Sequence, residues 1–99
     1  MGLEDYPGFD LLSRYPDGQE RAIEVKGRAG LGEVDVSDNE WIRADNLGER
    51  YWLYVVYHCA TPAPQLSRVW NPHSRVVARP KGGVVIDAAE VLRAAHRDL

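Results

Sequence analysis

Asp10, Glu24 and Lys26 are the residues of this sequence whose types and spacing could do chemistry. Two carboxylates held side by side can share a divalent cation. Mg²⁺ typically takes one or two carboxylates, several waters and substrate phosphate oxygens. An amine beside them can orient or help deprotonate a bound water, or stabilise charge building on phosphorus. An Asp followed by Glu-x-Lys on the next strand therefore holds the minimum parts for metal-assisted phosphodiester hydrolysis. Whether the three meet depends on the elements that carry them.

Gly8–Arg14 (GFDLLSR) and Glu20–Gly27 (ERAIEVKG) read as two strands around YPDGQ. In that turn Pro presets φ, Asp suits the second position and Gly takes the left-handed third, the pattern of a three-residue hairpin loop ending in a glycine bulge. The register follows. Tyr15 faces Gln19, Leu12 faces Ala22, Leu11 faces Ile23, Asp10 faces Glu24 and Phe9 faces Val25. Side chains alternate along a strand, so Ile23 and Val25 share one side while Ala22, Glu24 and Lys26 share the other. A one-residue slip would exchange the two sides. Opposed carboxylates repel. Either water screens them on a wet outer face, or a cation between them makes a site. The hairpin alone leaves both readings open.

Further along, Glu33–Val36 reads as a short strand after the Gly-rich GRAGLG connection. Ser37-Asp-Asn-Glu40 is a capping box that opens a helix over Asp38–Leu47, with Trp41, Ala44 and Leu47 inward and Gly48 as terminator. Tyr51–Cys59 is nearly apolar throughout and reads as a central strand covered on both faces. Thr61–Pro64 is a loop and Gln65–Trp70 a further strand. Arg75–Arg79 and Val84–Ile86 read as a hairpin around Pro80-Lys-Gly-Gly83. Asp87-Ala-Ala-Glu90 resembles another capping box, ahead of a helix over Ala88–Arg97. The fold class is a single mixed α/β or α+β domain, residues 1–99, with a mainly antiparallel sheet.

The ordered set GFD, IEVKG, SDNEW, RYWLYVVY and NP is similar to the protein NO VEIN C-terminal domain, a family of largely uncharacterised function with a nuclease-like fold. The resemblance spans about residues 6–72. It implies a restriction-endonuclease-like core of the PD-(D/E)xK type, often attached to helicases or other ATPases. It also implies Asp10 and Glu24 as ligands of Mg²⁺ or Mn²⁺, the Val25 carbonyl facing the metal, and Lys26 as the catalytic amine. Glu40 falls near an extra polar active-site position of some superfamily members, although capping alone accounts for it. Such folds usually begin with a helix and a strand ahead of the Asp strand, and nine residues precede Asp10 here. The expectation is an excised piece or a reduced variant that lacks the N-terminal core helix. One sheet face would then need another cover, such as a second copy in a homodimer.

Composition narrows the partners. The 99 residues carry a formal charge of −3, with −6 in residues 1–50 and +3 in residues 51–99. From Arg68 to Ile86 there are bases at Arg68, Arg75, Arg79 and Lys81 and no acid, which suits a nucleic-acid track, DNA by the resemblance, as well as it suits solvated loops. No apolar run approaches the roughly 20 residues of a membrane span. The acidic N-terminus lacks a secretory h-region. A single cysteine, Cys59, excludes an internal disulfide, and a cytoplasmic location is expected. His58, His73, His96 and Cys59 have no metal-ligand spacing. Trp41, Trp52, Trp70 and the tyrosines suit core packing better than base stacking, with Tyr57 and Trp70 the candidates for stacking. Ser13 and Ser37 lack a neighbouring base, and GRAGLG lacks the Lys-Ser/Thr of a phosphate loop. The function that follows is metal-dependent cleavage of DNA within a larger helicase- or ATPase-linked protein. The alternative is an inactive nucleic-acid-binding or protein-interaction module of the same fold.

Overall fold

A computed structural model describes residues 5–14 and 16–95, with side chains from Leu11 onward. Strands β1 (Asp5–Arg14) and β2 (Glu20–Arg28) form the hairpin, followed by β3 (Val34–Val36), helix α1 (Asp38–Leu47) and a 3-10 turn over Gly48–Arg50. Then come β4 (Tyr51–Tyr57), β5 (Gln65–Trp70), the one-turn helix α2 (Pro72–Arg75), β6 (Arg79–Pro80), β7 (Val84–Ile86) and α3 (Ala88–Ala94). The larger sheet has the order β1-β2-β4-β5, and the smaller one β3-β7-β6. All pairs are antiparallel except β2 with β4. The protein is α+β with a mostly antiparallel sheet, as the sequence pattern implies.

The Pro16-Asp17-Gly18 turn sets the hairpin. Gly18 takes φ 90°, and the Gln19 N–H donates to the Asp17 carboxylate at 3.0 Å. The register is the expected one: Asp10 opposite Glu24, Leu11 opposite Ile23, Leu12 opposite Ala22. The expected Tyr15–Gln19 pair involves a residue outside those described. Past Phe9 the register shifts, and Tyr6 meets Gly27, so Lys26 sits opposite a bulge.

Helix α1 starts where the capping box places it. The Glu40 N–H donates to Ser37 Oγ at 3.2 Å, and the Ser37 N–H donates back to the Glu40 carboxylate at 2.9 Å. The helix ends at Gly48, whose N–H reaches the Ala44 carbonyl. Its Ala44 packs with Ala22 and Tyr51, flanked by Trp41 and Leu47. The main core joins Leu53, Val55, Tyr57 and Val69 of the larger sheet to Val34, Val36 and Ile86 of the smaller one and to Val91 and Ala94 of α3.

Four expectations change. Strand β4 is covered fully on one face only, because its odd residues are buried while Trp52, Tyr54 and Val56 are half-buried. It stops at Tyr57 because His58 turns left-handed, at φ 55°. The expected strand over Arg75–Arg79 is instead α2 followed by the short β6. Asn71 takes φ 50° and Pro72, with φ preset and no N–H to leave unbonded, begins a helical turn. The second capping box does not form. Asp87 heads α3 without a side-chain bond to the helix backbone, because its carboxylate takes the Arg79 guanidinium at 2.7 Å, and Glu90 turns to Arg93 and to the Val77 N–H. The described part of α3 ends at Ala94, and residues 96–97 of the expected helix, His96 included, lie outside the described residues.

Candidate functional site

The polar side of β2 is not a wet face. Ala22 and Glu24 are 3% and 2% exposed, because α1 packs over Ala22 and the buried odd residues of β4 lie alongside. Glu24 stands between Asp10 on β1 and Leu53 on β4, and Lys26 lies beside Val55. The orientation of the Asp10 side chain lies outside the described residues, so the hairpin register is what joins it to the site.

Lys26 is the hub. Its ammonium donates to both Glu40 carboxylate oxygens, at 2.9 and 3.0 Å, and lies 3.9 Å from Glu24 Oε2. Glu40 therefore does two things at once. It closes the first turn of α1 on Ser37, and it holds the amine of β2. Burial pushes the Glu40 carboxyl up, but the Lys26 ammonium and the Ser37 N–H and hydroxyl outweigh that and hold it below its ordinary range. The sequence pattern contained the capping role. It did not contain the bond to Lys26, which needs β2 and α1 to meet in space.

A cleft of about 400 Å³ opens on this group, lined by Lys26, Asp35, Ser37, Glu40 and Lys81. Its far wall is the β6–β7 turn. Gly83 makes that wall possible: it has φ 123°, and a Cβ there would come within 2.5 Å of the Val36 carbonyl oxygen. No spacing rule in the sequence marked that close approach.

The four expected nucleic-acid contacts divide between two places. Lys81 lines the cleft with Lys26 and lies 4.0 Å from Glu33. Arg79 is ion-paired with Asp87 at 2.7 Å and lies 3.9 Å from Glu33. The acid-free run in sequence is thus met in space by acids from elsewhere. Arg68 pairs across strands with Tyr54 on the other face of the larger sheet, and the Arg75 guanidinium, from α2, lies 5.7 Å from the Trp70 ring centre. Tyr57, expected as a stacking candidate, is 0% exposed and belongs to the core, because it is an odd residue of β4.

The family model described as Protein NO VEIN, C-terminal matches residues 3–69. The chain belongs to this family. No curated protein and no solved structure gives a significant match. The stretch matched to the NO VEIN C-terminal domain contains Asp10, Glu24, Lys26 and Glu40, and stops short of Arg75, Arg79 and Lys81. Among the described residues, no helix is long and apolar enough to cross a membrane.

The donors bear on a metal. Among the described residues no group of three His, Cys, Asp or Glu side chains is placed to hold an ion. Glu24, with Asp10 opposite it in register, offers hard oxygen donors from two strands, the number of carboxylates that Mg²⁺ or Mn²⁺ commonly takes. The buried Glu24 carboxylate fits such an ion, while Val25 is paired in the ladder with both Phe9 and Tyr54.

Proposed function

We propose that this NO VEIN C-terminal domain is a nuclease-like module of the PD-(D/E)xK type, hydrolysing phosphodiester bonds of DNA with Mg²⁺ or Mn²⁺. The observation that carries the reading is the placement of Asp10 opposite a buried Glu24, with Lys26 two residues on and 3.9 Å from the Glu24 carboxylate. Asp10, Glu24 and the Val25 carbonyl would hold the ion. Bound there, it would polarise a phosphoryl oxygen and make water a better nucleophile at neutral pH.

The chain's own residues supply the rest. Lys26, as an ammonium, places positive charge where a phosphoryl group gains negative charge. Glu40 fixes the position of that ammonium through two hydrogen bonds, so little is lost to reorientation during reaction. Lys81, on the opposite wall of the cleft, attracts the DNA backbone. The β4 side of Glu24 is apolar and dry, which strengthens each of these interactions.

The test is a thermal shift with Mn²⁺ and Mg²⁺, joined to a cleavage assay on supercoiled and linear DNA. The expected result is stabilisation by metal in the wild type that disappears in Asp10→Asn and Glu24→Gln, with cleavage lost in Lys26→Met. Absence of both a metal shift and metal-dependent cleavage refutes the proposal.

A further inference from the structure

The larger sheet ends on β1, and among the described residues no strand pairs with the outer edge of that strand. An unpaired edge presents a row of N–H and C=O groups to any strand that approaches, and natural edges are usually kept short, charged or covered. This one is ten residues long. The bulge between Tyr6 and Phe9, with Pro7 lacking an N–H, limits regular pairing to Phe9–Arg14. The end of that stretch lies open to solvent. Leu11 and Leu12 are 46% and 68% exposed, and the Arg14 side chain is 66% exposed.

The stretch reads FDLLSR and is self-complementary about Leu12. In a two-fold antiparallel pairing that continues the sheet, only residues of the same parity face each other, because side chains alternate between the two faces. An axis through Leu12 sets Leu12 against Leu12 of a second copy, Leu11 against Ser13, and Asp10 against Arg14, the last pair twice over. An axis through Leu11 would set Asp10 against a leucine, and one through Ser13 would set Arg14 against a leucine. An axis through Asp10 would oppose two carboxylates. Directly opposed charges of unlike sign stabilise a strand pair and like charges destabilise it, so one register is selected. Within its own chain Arg14 donates to the Gly18 carbonyl at 3.1 Å and to Glu20 at 3.5 Å, both on the surface. A contact to Asp10 of a second copy would be added to these exposed bonds or exchanged for one of them. The helices leave room for it. Neighbouring strands lie about 4.8 Å apart, so the two β2 strands would stand about 14 Å apart. That exceeds the roughly 8–10 Å between packed helices, and the α1 helix over each β2 clears the other. The other edge of the sheet, β5, carries Arg68 and no acid, and offers no matched pair.

From this pattern we infer that the chain forms a two-fold dimer through β1, with Leu12 on the axis and Asp10 of each copy facing Arg14 of the other. The two four-stranded sheets become one continuous sheet. The contact is isologous, as a two-fold axis requires, and hydrogen bonds between main chains supply much of it. It needs neither metal nor cleavage. It touches the proposed function at Asp10, which stands opposite Glu24 within its own copy, so each copy brings an arginine to the site of the other.

The experiment is sedimentation velocity on the full chain in EDTA over a concentration series. The expected result is a monomer–dimer equilibrium. Leu12→Lys should leave only monomer without lowering Tm in the dilute limit, because Leu12 is exposed in the single chain. Arg14→Asp should weaken the dimer about ten-fold or more, since it sets two like-charged pairs across the axis. Combining it with Asp10→Lys should recover most of that loss, which a folding defect would not do. Register is read by crosslinking in a Cys59→Ser background. Leu12→Cys should give a covalent dimer under mild oxidation, while Ser13→Cys, whose copies are diagonal neighbours about 7–8 Å apart, should react far more slowly. Monomer at every concentration overturns the inference. So does a dimer untouched by Leu12→Lys, a charge exchange that recovers nothing, or equal crosslinking at the two positions. A dimer that persists with no response to Mn²⁺ supports this inference and refutes only the proposed function.

Discussion

Glu40→Gln separates the two roles of one side chain. Glutamine can still accept the Ser37 N–H bond, because its amide oxygen serves the capping box as a carboxylate does. What it loses is the charge opposite Lys26. In the wild type that contact is bidentate, at 2.9 and 3.0 Å, and both side chains are mostly withdrawn from water, at 18% and 26% exposed. Charge-assisted hydrogen bonds contribute about 1.5–3 kcal/mol and neutral ones about 0.5–1.5, so the substitution should cost about 1.5 kcal/mol. Glu40→Ala also removes a capping partner, worth about another 1 kcal/mol.

Differential scanning fluorimetry reads this directly. For a domain of this size 1 kcal/mol moves Tm by about 4–8 °C, so Glu40→Gln should fall by about 6–12 °C and Glu40→Ala further. A double-mutant cycle with Lys26→Met should give a coupling of about 1–2 kcal/mol. The pH dependence has a fixed sign. The Glu40 carboxyl is held below its ordinary value of 4.5, so its contribution is complete above that pH and lost as pH falls below it. Wild type and Glu40→Gln should therefore converge in acid. A Glu40→Gln variant within about 0.5 kcal/mol of wild type at pH 7, or strict additivity with Lys26→Met, refutes the bond as the link between β2 and α1.

Gly83→Ala should lower Tm by 8 °C or more, roughly 2 kcal/mol, because φ 123° and the Val36 carbonyl both exclude a Cβ. The same variant should weaken any metal or DNA response at the cleft, read by the same thermal shift. Burial pushes the Tyr57 phenol up to about 12, and its hydroxyl has no hydrogen-bond partner among the described residues. Wild type should therefore lose stability between pH 10 and 12, where only the unfolded chain ionises, while Tyr57→Phe loses less and is no less stable at pH 7 in urea titrations. Glu90 is drawn down to about 2 by the Arg93 guanidinium and the Val77 N–H. Its contribution holds above pH 4.5 and fades as pH falls toward 2, so Glu90→Gln should flatten the acid limb of the urea midpoint against pH.

Local signals in the sequence were sufficient wherever one short segment fixes its own geometry. The Pro16-Asp17-Gly18 turn dictates the hairpin register, and Ser37 with Glu40 dictates the start of α1. The turn also sets Asp10 opposite Glu24, with Lys26 two residues on, so that part of the candidate site was legible early. The segment after Trp70 was not, because β-branched Val76 and Val77 suggest a strand while left-handed Asn71 and Pro72 start a turn of helix. The second capping box failed for a different reason. Asp87 and Glu90 had stronger partners in Arg79 and Arg93, and a charged bond outweighs a cap. The split of the basic run is likewise tertiary: Glu33, far away in sequence, lies by Arg79 and Lys81.

Burial is what turns the odd polar side of β2 into a chemical statement. On a wet strand, Glu24 and Lys26 would form one more screened surface pair, worth little. Here Glu24 is 2% exposed, and Lys26 is shared between it and a second carboxylate, Glu40. Two carboxylates thus meet one amine in a poorly solvated pocket, and Asp10 stands opposite Glu24 in register. The proposed divalent cation would take its oxygens from Glu24 and Asp10. A divalent cation would stabilise the fold in proportion to the logarithm of its concentration above Kd, and Glu24→Gln would abolish that gain. Titrating Mn²⁺ at pH 5 and pH 8 tests this, because protons compete with metal for carboxylate oxygens, so a bound ion predicts a stronger shift at the higher pH, and an equal or absent shift at pH 8 refutes it.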